Sequence, residues 1–264
     1  MYSFAYHRAK NVKDAAALLK KADDAKLLAG GQTLIPTLKQ RLAGPGALID
    51  LGGVKELTGI ALKGKVLVIG AMTRHAEVAN SKVVKKAIPA LAELAEAIGD
   101  PAVRNVGTIG GSVANNDPAA DYPAACLALG ATIVTSKRKI PADKYFKGLF
   151  ETALADDEII TAVEFPLPKK AGYAKFPNQA SRYALVGVFA STGPAGTRVA
   201  VTGAGESGVF RVAEMEKALD KNFSAKSLDG IAVKPRGLNT DIHASAEYRA
   251  HLIGVMAKRA VAAA

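Results

Sequence analysis

The sequence predicts an α+β protein of two domains, the second the smaller, on three observations. Strand-like and helix-like segments interleave along the whole chain, the composition breaks near Leu167-Pro168-Lys169-Lys170, and 264 residues exceed the usual size of a single domain. The expected boundary lies at residue 170, giving domains 1–170 and 171–264.

The elements follow in order. Asn11 can cap a helix with apolar positions Val12, Ala15, Ala16, Leu18 and Leu19 and with Lys20 and Lys21 in its last turn, where cations suit the helix dipole. Ala25 to Ala29 reads as a buried strand ending on Gly30-Gly31, after which Leu34, Ile35, Leu38 and Leu42 recur at helical spacing. A strand at Ala47 to Leu51 precedes a hairpin, Ile60 to Leu62 and Val66 to Ala71, turning at Lys63-Gly64. From Thr73 the pattern is helical, most clearly over Ile88 to Ile98, with Gly99 as the stop. A second glycine-rich turn spans Gly107 to Ser112, followed by the polar stretch Asn115 to Pro118, a helix around Cys126 and a strand at Ala131 to Thr135. Beyond residue 170, Tyr183 to Ala190 and Arg198 to Thr202 are strand candidates, with helices toward the end.

The bulk composition, 49% hydrophobic and 22% charged, is that of an ordinary soluble protein, and no stretch approaches the roughly 20 apolar residues a membrane span needs. Met1 to Arg8 lacks the apolar core of a secretory signal, so a cytoplasmic location is expected. A single cysteine, Cys126, excludes an internal disulfide and cannot supply the four thiolates of an iron–sulfur cluster; it reads as a small buried hydrophobe. The net charge of +11 raises nucleic acid as a partner, but the basic groups Lys82, Lys85 and Lys86, then Lys137, Arg138 and Lys139, then Lys169 and Lys170 are scattered and lack interleaved aromatics. They point to solvated surface, or to docking on an acidic protein, and not to nucleic acid.

Two turns carry the candidate chemistry: Ala29-Gly30-Gly31-Gln32-Thr33 and Thr108-Ile109-Gly110-Gly111-Ser112. Glycine lets the backbone approach a ligand closely and adopt positive φ, and consecutive N–H groups then converge on an anion such as a pyrophosphate. Ordered turns without a ligand share the pattern, but the pair, with hydroxyl and amide side chains beside each and with Asn115 and Asp121 just beyond the second, favours binding. Gly203-Ala204-Gly205-Glu206-Ser207-Gly208 matches the dinucleotide fingerprint, yet the residues around Asp220 look helical where a second strand with its acidic residue belongs, so it reads as a structural turn. His7, His75, His243 and His251 are far apart and suit surface or locally hydrogen-bonded positions better than a metal site. No nucleophile elbow or phosphate-loop lysine is found, so any redox chemistry must come from a bound cofactor.

The segments Leu28 to Pro36, Ile69 to Thr73, and above all Asp100-Pro101-Ala102-Val103-Arg104-Asn105-Val106-Gly107-Thr108-Ile109-Gly110-Gly111-Ser112 running into Asp117-Pro118-Ala119-Ala120-Asp121, resemble the FAD-binding medium subunits of molybdenum hydroxylases. That family includes aerobic carbon monoxide dehydrogenase and relatives of xanthine dehydrogenase. The likeness continues through Glu164-Phe165-Pro166 and Ala180-Ser181-Arg182-Tyr183 to Tyr248-Arg249, so it covers essentially the whole chain. It implies a PCMH-type FAD domain of two α/β subdomains, split near residues 55–60, and a smaller C-terminal α/β domain of the carbon monoxide dehydrogenase flavoprotein type.

The resemblance places Leu28, Ala29, Gly30, Gly31, Gln32, Thr33 and Leu34, with Thr108, Ile109, Gly110, Gly111 and Ser112, around the FAD pyrophosphate. Asn115 and Asp121 would hold other polar parts of the cofactor, Asp121 a ribose hydroxyl, and Tyr183 would cover the flavin ring unless it is a strand-core tyrosine. Gln32-Thr33 stands where many members have His-Ser, which keeps hydrogen-bonding capacity but bears on the flavin's potential. The implied activity is that of an oxidoreductase subunit, incomplete alone, relaying electrons from partner 2Fe–2S clusters through FAD to an external acceptor. The implied partners are a large molybdenum-binding subunit and a small iron–sulfur subunit, in a heterotrimer that can dimerise. Two competing readings are a self-contained FAD-dependent oxidase or reductase, for which residues 171–264 form a small substrate domain, and a non-catalytic assembly protein, against which the intact glycine turns weigh.

Overall fold

A computed structural model describes residues 1–264 and contains three larger sheets with their helices and a two-stranded one, Phe146–Gly148 with Glu151–Thr152. The first sheet is parallel, with Ala47–Asp50 between Ala5–Arg8 and Ala25–Leu28. Its connections are the helices Val12–Lys21, capped by Asn11 through a 2.8 Å bond from the Asp14 N–H, and Leu34–Lys39. Parallel strands need such crossovers, and Ala47, Leu48 and Ile49 of the central strand are buried on both faces of the sheet. Two expectations change here. Ala25–Leu28 is an edge strand and only partly buried, and the helix after it stops at Lys39, leaving Leu42 on the surface.

The second sheet is antiparallel, in the order Ile60–Lys63, Val66–Gly70, Ile160–Pro166, Thr132–Thr135, Lys139–Pro141. The expected hairpin is present, with Gly64 at φ +60° in its turn. Between Val66–Gly70 and Thr132–Thr135 the chain makes a run of short helices, including His75–Asn80, Lys82–Ala87, Pro89–Glu96, Ile109–Asn115 and Tyr122–Leu129. The helix Pro89–Glu96 ends before the expected stop, with Ala97 at its C-cap, and Gly99, at φ +50°, lies in the link to helix Pro101–Arg104. The central strand Ile160–Pro166 comes from far along the sequence and is an addition to the expected strands.

The third sheet is antiparallel and four-stranded, ordered Lys170–Pro177, Ala184–Gly193, Gly196–Thr202, Phe210–Arg211. Helices Ala213–Lys221 and Ala246–Ala262 pack on it, as does Tyr122–Leu129 from the N-terminal part. Every residue of Tyr122–Leu129 is buried, which explains a helix apolar on all sides. Tyr173, Phe189 and Ala200 of this sheet join the same core as Leu67, Ile133 and Phe165, so the composition break near 170 marks a change of sheet and not a gap in packing. Gly203 to Gly208 forms a turn whose backbone is held by Pro118, Gly237 and Asn239, and no helix starts from it.

Candidate functional site

Between strand Ala25–Leu28 and helix Leu34–Lys39 the chain reverses through Gly31, at φ +67°, a conformation L side chains rarely adopt. The backbone N–H groups of Gly30, Gly31, Gln32, Thr33 and Leu34 donate to no acceptor in the protein. Five successive donors, with the Gln32 and Thr33 side chains exposed beside them, form a run of positive partial charge of the kind that receives an anion. Leu28 and Ile35 lie under Gly31, with side-chain carbons 3.2 and 2.8 Å from where its Cβ would be.

The second glycine turn differs from its expected form. Residues Ile109–Asn115 are a helix, and Gly110 and Gly111 lie inside its first turn. Its leading N–H groups are already used: Ile109 donates to the Thr73 carbonyl (3.1 Å), Gly110 to that of Ala71 (2.8 Å), Gly111 to Thr108 Oγ1 (3.1 Å) and Ser112 to the Thr108 carbonyl (3.0 Å). The expectation that these donors meet an anion is therefore corrected, because a buried helix start must satisfy its own backbone. What this segment offers is the Ser112 hydroxyl and the Asn115 amide, both half-buried and without side-chain partners in the protein. It also offers closeness. A Cβ on Gly30 would sit 2.3 Å from the Val106 carbonyl oxygen and 2.8 Å from Gly107 Cα, and one on Gly111 would sit 3.6 Å from the Ala29 Cβ. Two turns almost eighty residues apart are thus in direct contact.

Asp121 has a different occupation from the one expected. Its side chain is 4% exposed, the Tyr173 hydroxyl donates to Oδ1, and Lys175 Nζ lies 2.9 Å from Oδ1 and 3.1 Å from Oδ2. Lys175 also donates to the Ala97 carbonyl at 3.0 Å. The carboxylate joins the third sheet to the helices of the second and is enclosed by these partners. Burial raises its pKa, and Lys175 and the Tyr173 hydroxyl oppose that shift. Asn116, in the polar stretch, is also internal: its amide donates to the Gly148 and Glu151 carbonyls.

Tyr183 is not a strand-core residue. It precedes Ala184–Gly193, follows Arg182 at φ +62°, and is 47% exposed. The turn presenting it is held by Asn178, whose N–H donates to the Tyr183 carbonyl and whose Oδ1 accepts from the Ala180 and Ser181 N–H groups. Burial raises the Tyr183 pKa, and the negative charges of Asp117 and Asp121 add to that. The phenol thus lies on the side of the molecule where the second glycine segment ends.

His75 carries a position the sequence reading missed. It is buried, 5% exposed, with Nδ1 unpartnered and its ring 5.4 Å from that of Tyr122. Burial, with help from the Arg104 charge, pushes its pKa from 6.5 down to about 4, so the imidazole is neutral at pH 7. A folded-state pKa below the unfolded value means that full stability is present above the unfolded value and is lost as pH falls through the window from about 6.5 to 4. The loss for this one group reaches about 3 kcal/mol. Denaturation of wild type and His75→Gln at pH 7 and pH 4.5 should show a smaller acid loss in the variant; equal losses would refute the assignment.

A cleft of about 780 Å³ beside helix Val12–Lys21 is lined by Lys13, Lys20, Lys137, Glu56 and Asp157 and lies apart from the glycine turns. A free run of backbone donors, the close approach of the two glycine segments, and the uncommitted Gln32, Thr33, Ser112 and Asn115 side chains make this the candidate site for a dinucleotide-type cofactor in an α+β frame. Residues 2–168 match the family described as the FAD binding domain in molybdopterin dehydrogenase, and the chain belongs to that family of oxidoreductase flavin subunits. It is 35% identical to the carbon monoxide dehydrogenase medium chain of Hydrogenophaga pseudoflava, covering 99% of this chain and 96% of that one. It is equally 35% identical to the nicotine 6-hydroxylase medium subunit of Paenarthrobacter nicotinovorans, with 97% and 95% covered. The reconstituted carbon monoxide dehydrogenase of Oligotropha carboxidovorans superposes with a TM-score of 0.89 at 34% identity over 99% of this chain and 97% of that one. No helix is long and apolar enough to cross a membrane.

Proposed function

We propose that the Gly30–Leu34 donors receive the FAD pyrophosphate, that Ser112 and Asn115 bind further polar groups of the cofactor, and that Tyr183 lies against the flavin ring. The observation that carries this is the row of five N–H groups without acceptors, set against the second glycine segment. Bound FAD supplies electron transfer, exchanging pairs or single electrons between partners. The chain's own residues then orient the cofactor, neutralise its phosphates with backbone dipoles, and leave the flavin edge open toward other proteins. Nothing in the site acts as an acid or base on a substrate.

The chain works as one subunit of a complex, with a large molybdenum-binding subunit and a small iron–sulfur subunit, in a heterotrimer that dimerises. Relatives of almost the same length serve enzymes named for carbon monoxide, nicotine and glyceraldehyde, which supports a substrate choice made outside this chain. The test is the absorption spectrum and composition of the protein purified from its host. Oxidised-flavin bands at one FAD per chain, with iron–sulfur absorbance and two co-purifying subunits, are expected. A solitary yellow chain that oxidises a substrate unaided would overturn the complex, and a chain that never takes up FAD would overturn the site.

A further inference from the structure

We propose that His75 is a positioning residue for the cofactor site, its buried imidazole lying under Gly107 and setting how near that backbone, and with it the Gly30–Leu34 donors, can come. The inference rests on the reading of those donors as the pyrophosphate site.

Four groups stand in a row. A Cβ on Gly30 would lie 2.8 Å from Gly107 Cα, and a Cβ on Gly107 would lie 2.7 Å from His75 Nε2 and 2.8 Å from its Cδ2. The His75 ring in turn packs on Tyr122, which is fully buried. The backbone locks the same contact: the His75 N–H donates to the Gly107 carbonyl (2.9 Å), Arg74 pairs with Thr108, and the Ile109 N–H returns to Thr73. An imidazole at the end of a mobile side chain could swing aside, but this one is buried and packed against the Tyr122 ring. Any atom added at Gly107 must therefore move the histidine or move Gly107 against Gly30. Close-packed interiors transmit such displacements. Gly107 is not among the glycines with positive φ, so its lack of a side chain answers to this contact and to the nearby Val103 carbonyl, 3.1 Å from the same Cβ position.

The contact can be tested by exchanging size across it in the full-length chain. Gly107→Ala, His75→Ala and the double variant are prepared free of cofactor and titrated with FAD, following the quenching of flavin fluorescence; thermal unfolding without FAD is recorded in parallel. Gly107→Ala should weaken FAD binding by about 10- to 100-fold, the scale of an overpacked contact. His75→Ala should weaken it by roughly 10-fold. In the double variant the methyl enters the space vacated by the ring, and affinity should recover about 10-fold relative to Gly107→Ala, a coupling of the size found between touching residues. If His75→Ala does not yield folded protein, His75→Val takes its place in the same cycle. Affinities that simply add would overturn the proposal. So would a coupling confined to the unfolding temperature of the FAD-free protein, since that is what a purely structural contact produces. A wild-type chain that binds no FAD removes the reading beneath the proposal, and it does so before any variant is compared.

Discussion

Gly30→Ala protein is expected to lose FAD affinity by about 100-fold or more while keeping its fold. The new methyl carbon would stand 2.3 Å from the Val106 carbonyl oxygen and 2.9 Å from its carbon, far inside van der Waals contact, and both are backbone atoms that no rotamer change can move. Overpacking of this kind costs on the order of 1–3 kcal/mol and occasionally more, and each 1.4 kcal/mol is tenfold in affinity. The displaced element is the donor row itself, so binding suffers more than folding. Gly30 does not have positive φ, which leaves the contact and not backbone preference as the cause. Gly64→Ala provides the contrast: at φ +60° with nothing within 4 Å of its Cβ, it should cost about 1 kcal/mol of stability and leave FAD affinity unchanged. Equal FAD affinity in wild type and Gly30→Ala would show that the two turns do not form one site.

Lys175→Met is expected to destabilise the chain by about 3–5 kcal/mol at pH 7. Its ammonium and the Asp121 carboxylate are 6% and 4% exposed, and removing one partner of a buried pair leaves the other charge uncompensated. Lysine also reaches the Ala97 carbonyl, a bond that methionine cannot replace. The pH dependence distinguishes this cause from lost packing. Burial already raises the Asp121 pKa, and removing Lys175 removes the main influence holding it down, so the variant carboxyl titrates higher still. A raised folded-state pKa means that the neutral acid is tolerated at low pH and that stability is lost as pH rises through that value. The deficit of Lys175→Met relative to wild type should therefore grow from pH 4 to pH 7 in urea denaturation. Lys139→Met, which breaks the exposed pair with Glu164, should cost no more than about 1 kcal/mol and show no such trend. A deficit for Lys175→Met that is flat with pH would place its origin in packing.

The local elements were legible where one residue decides one feature. Asn11 caps its helix and Gly64 turns its hairpin because capping and positive φ are properties of a residue and its immediate neighbours. Ile160–Pro166 and Lys170–Pro177 were not legible as strands. The first becomes central by pairing with Val66–Gly70 and Thr132–Thr135 from distant parts of the chain, and the second carries glycine, proline and lysines, weak strand formers, and is covered by the last helix. Strand formation depends on such partners more than on local preference.

Of the site, the residue types and the two glycine turns were determined by the sequence alone, as was the family, because motif spacing survives without coordinates. The tertiary structure decided what each residue does. It left the first turn's N–H groups free and used up those of the second, closed Asp121 inside an ion pair, put Tyr183 on the surface, and set His75 beneath Gly107. The physical reason is that hydrogen bonds and burial are shared between partners. A donor is free or spent, and a carboxylate open or enclosed, only once the chain has brought distant segments such as residues 30 and 107 into contact.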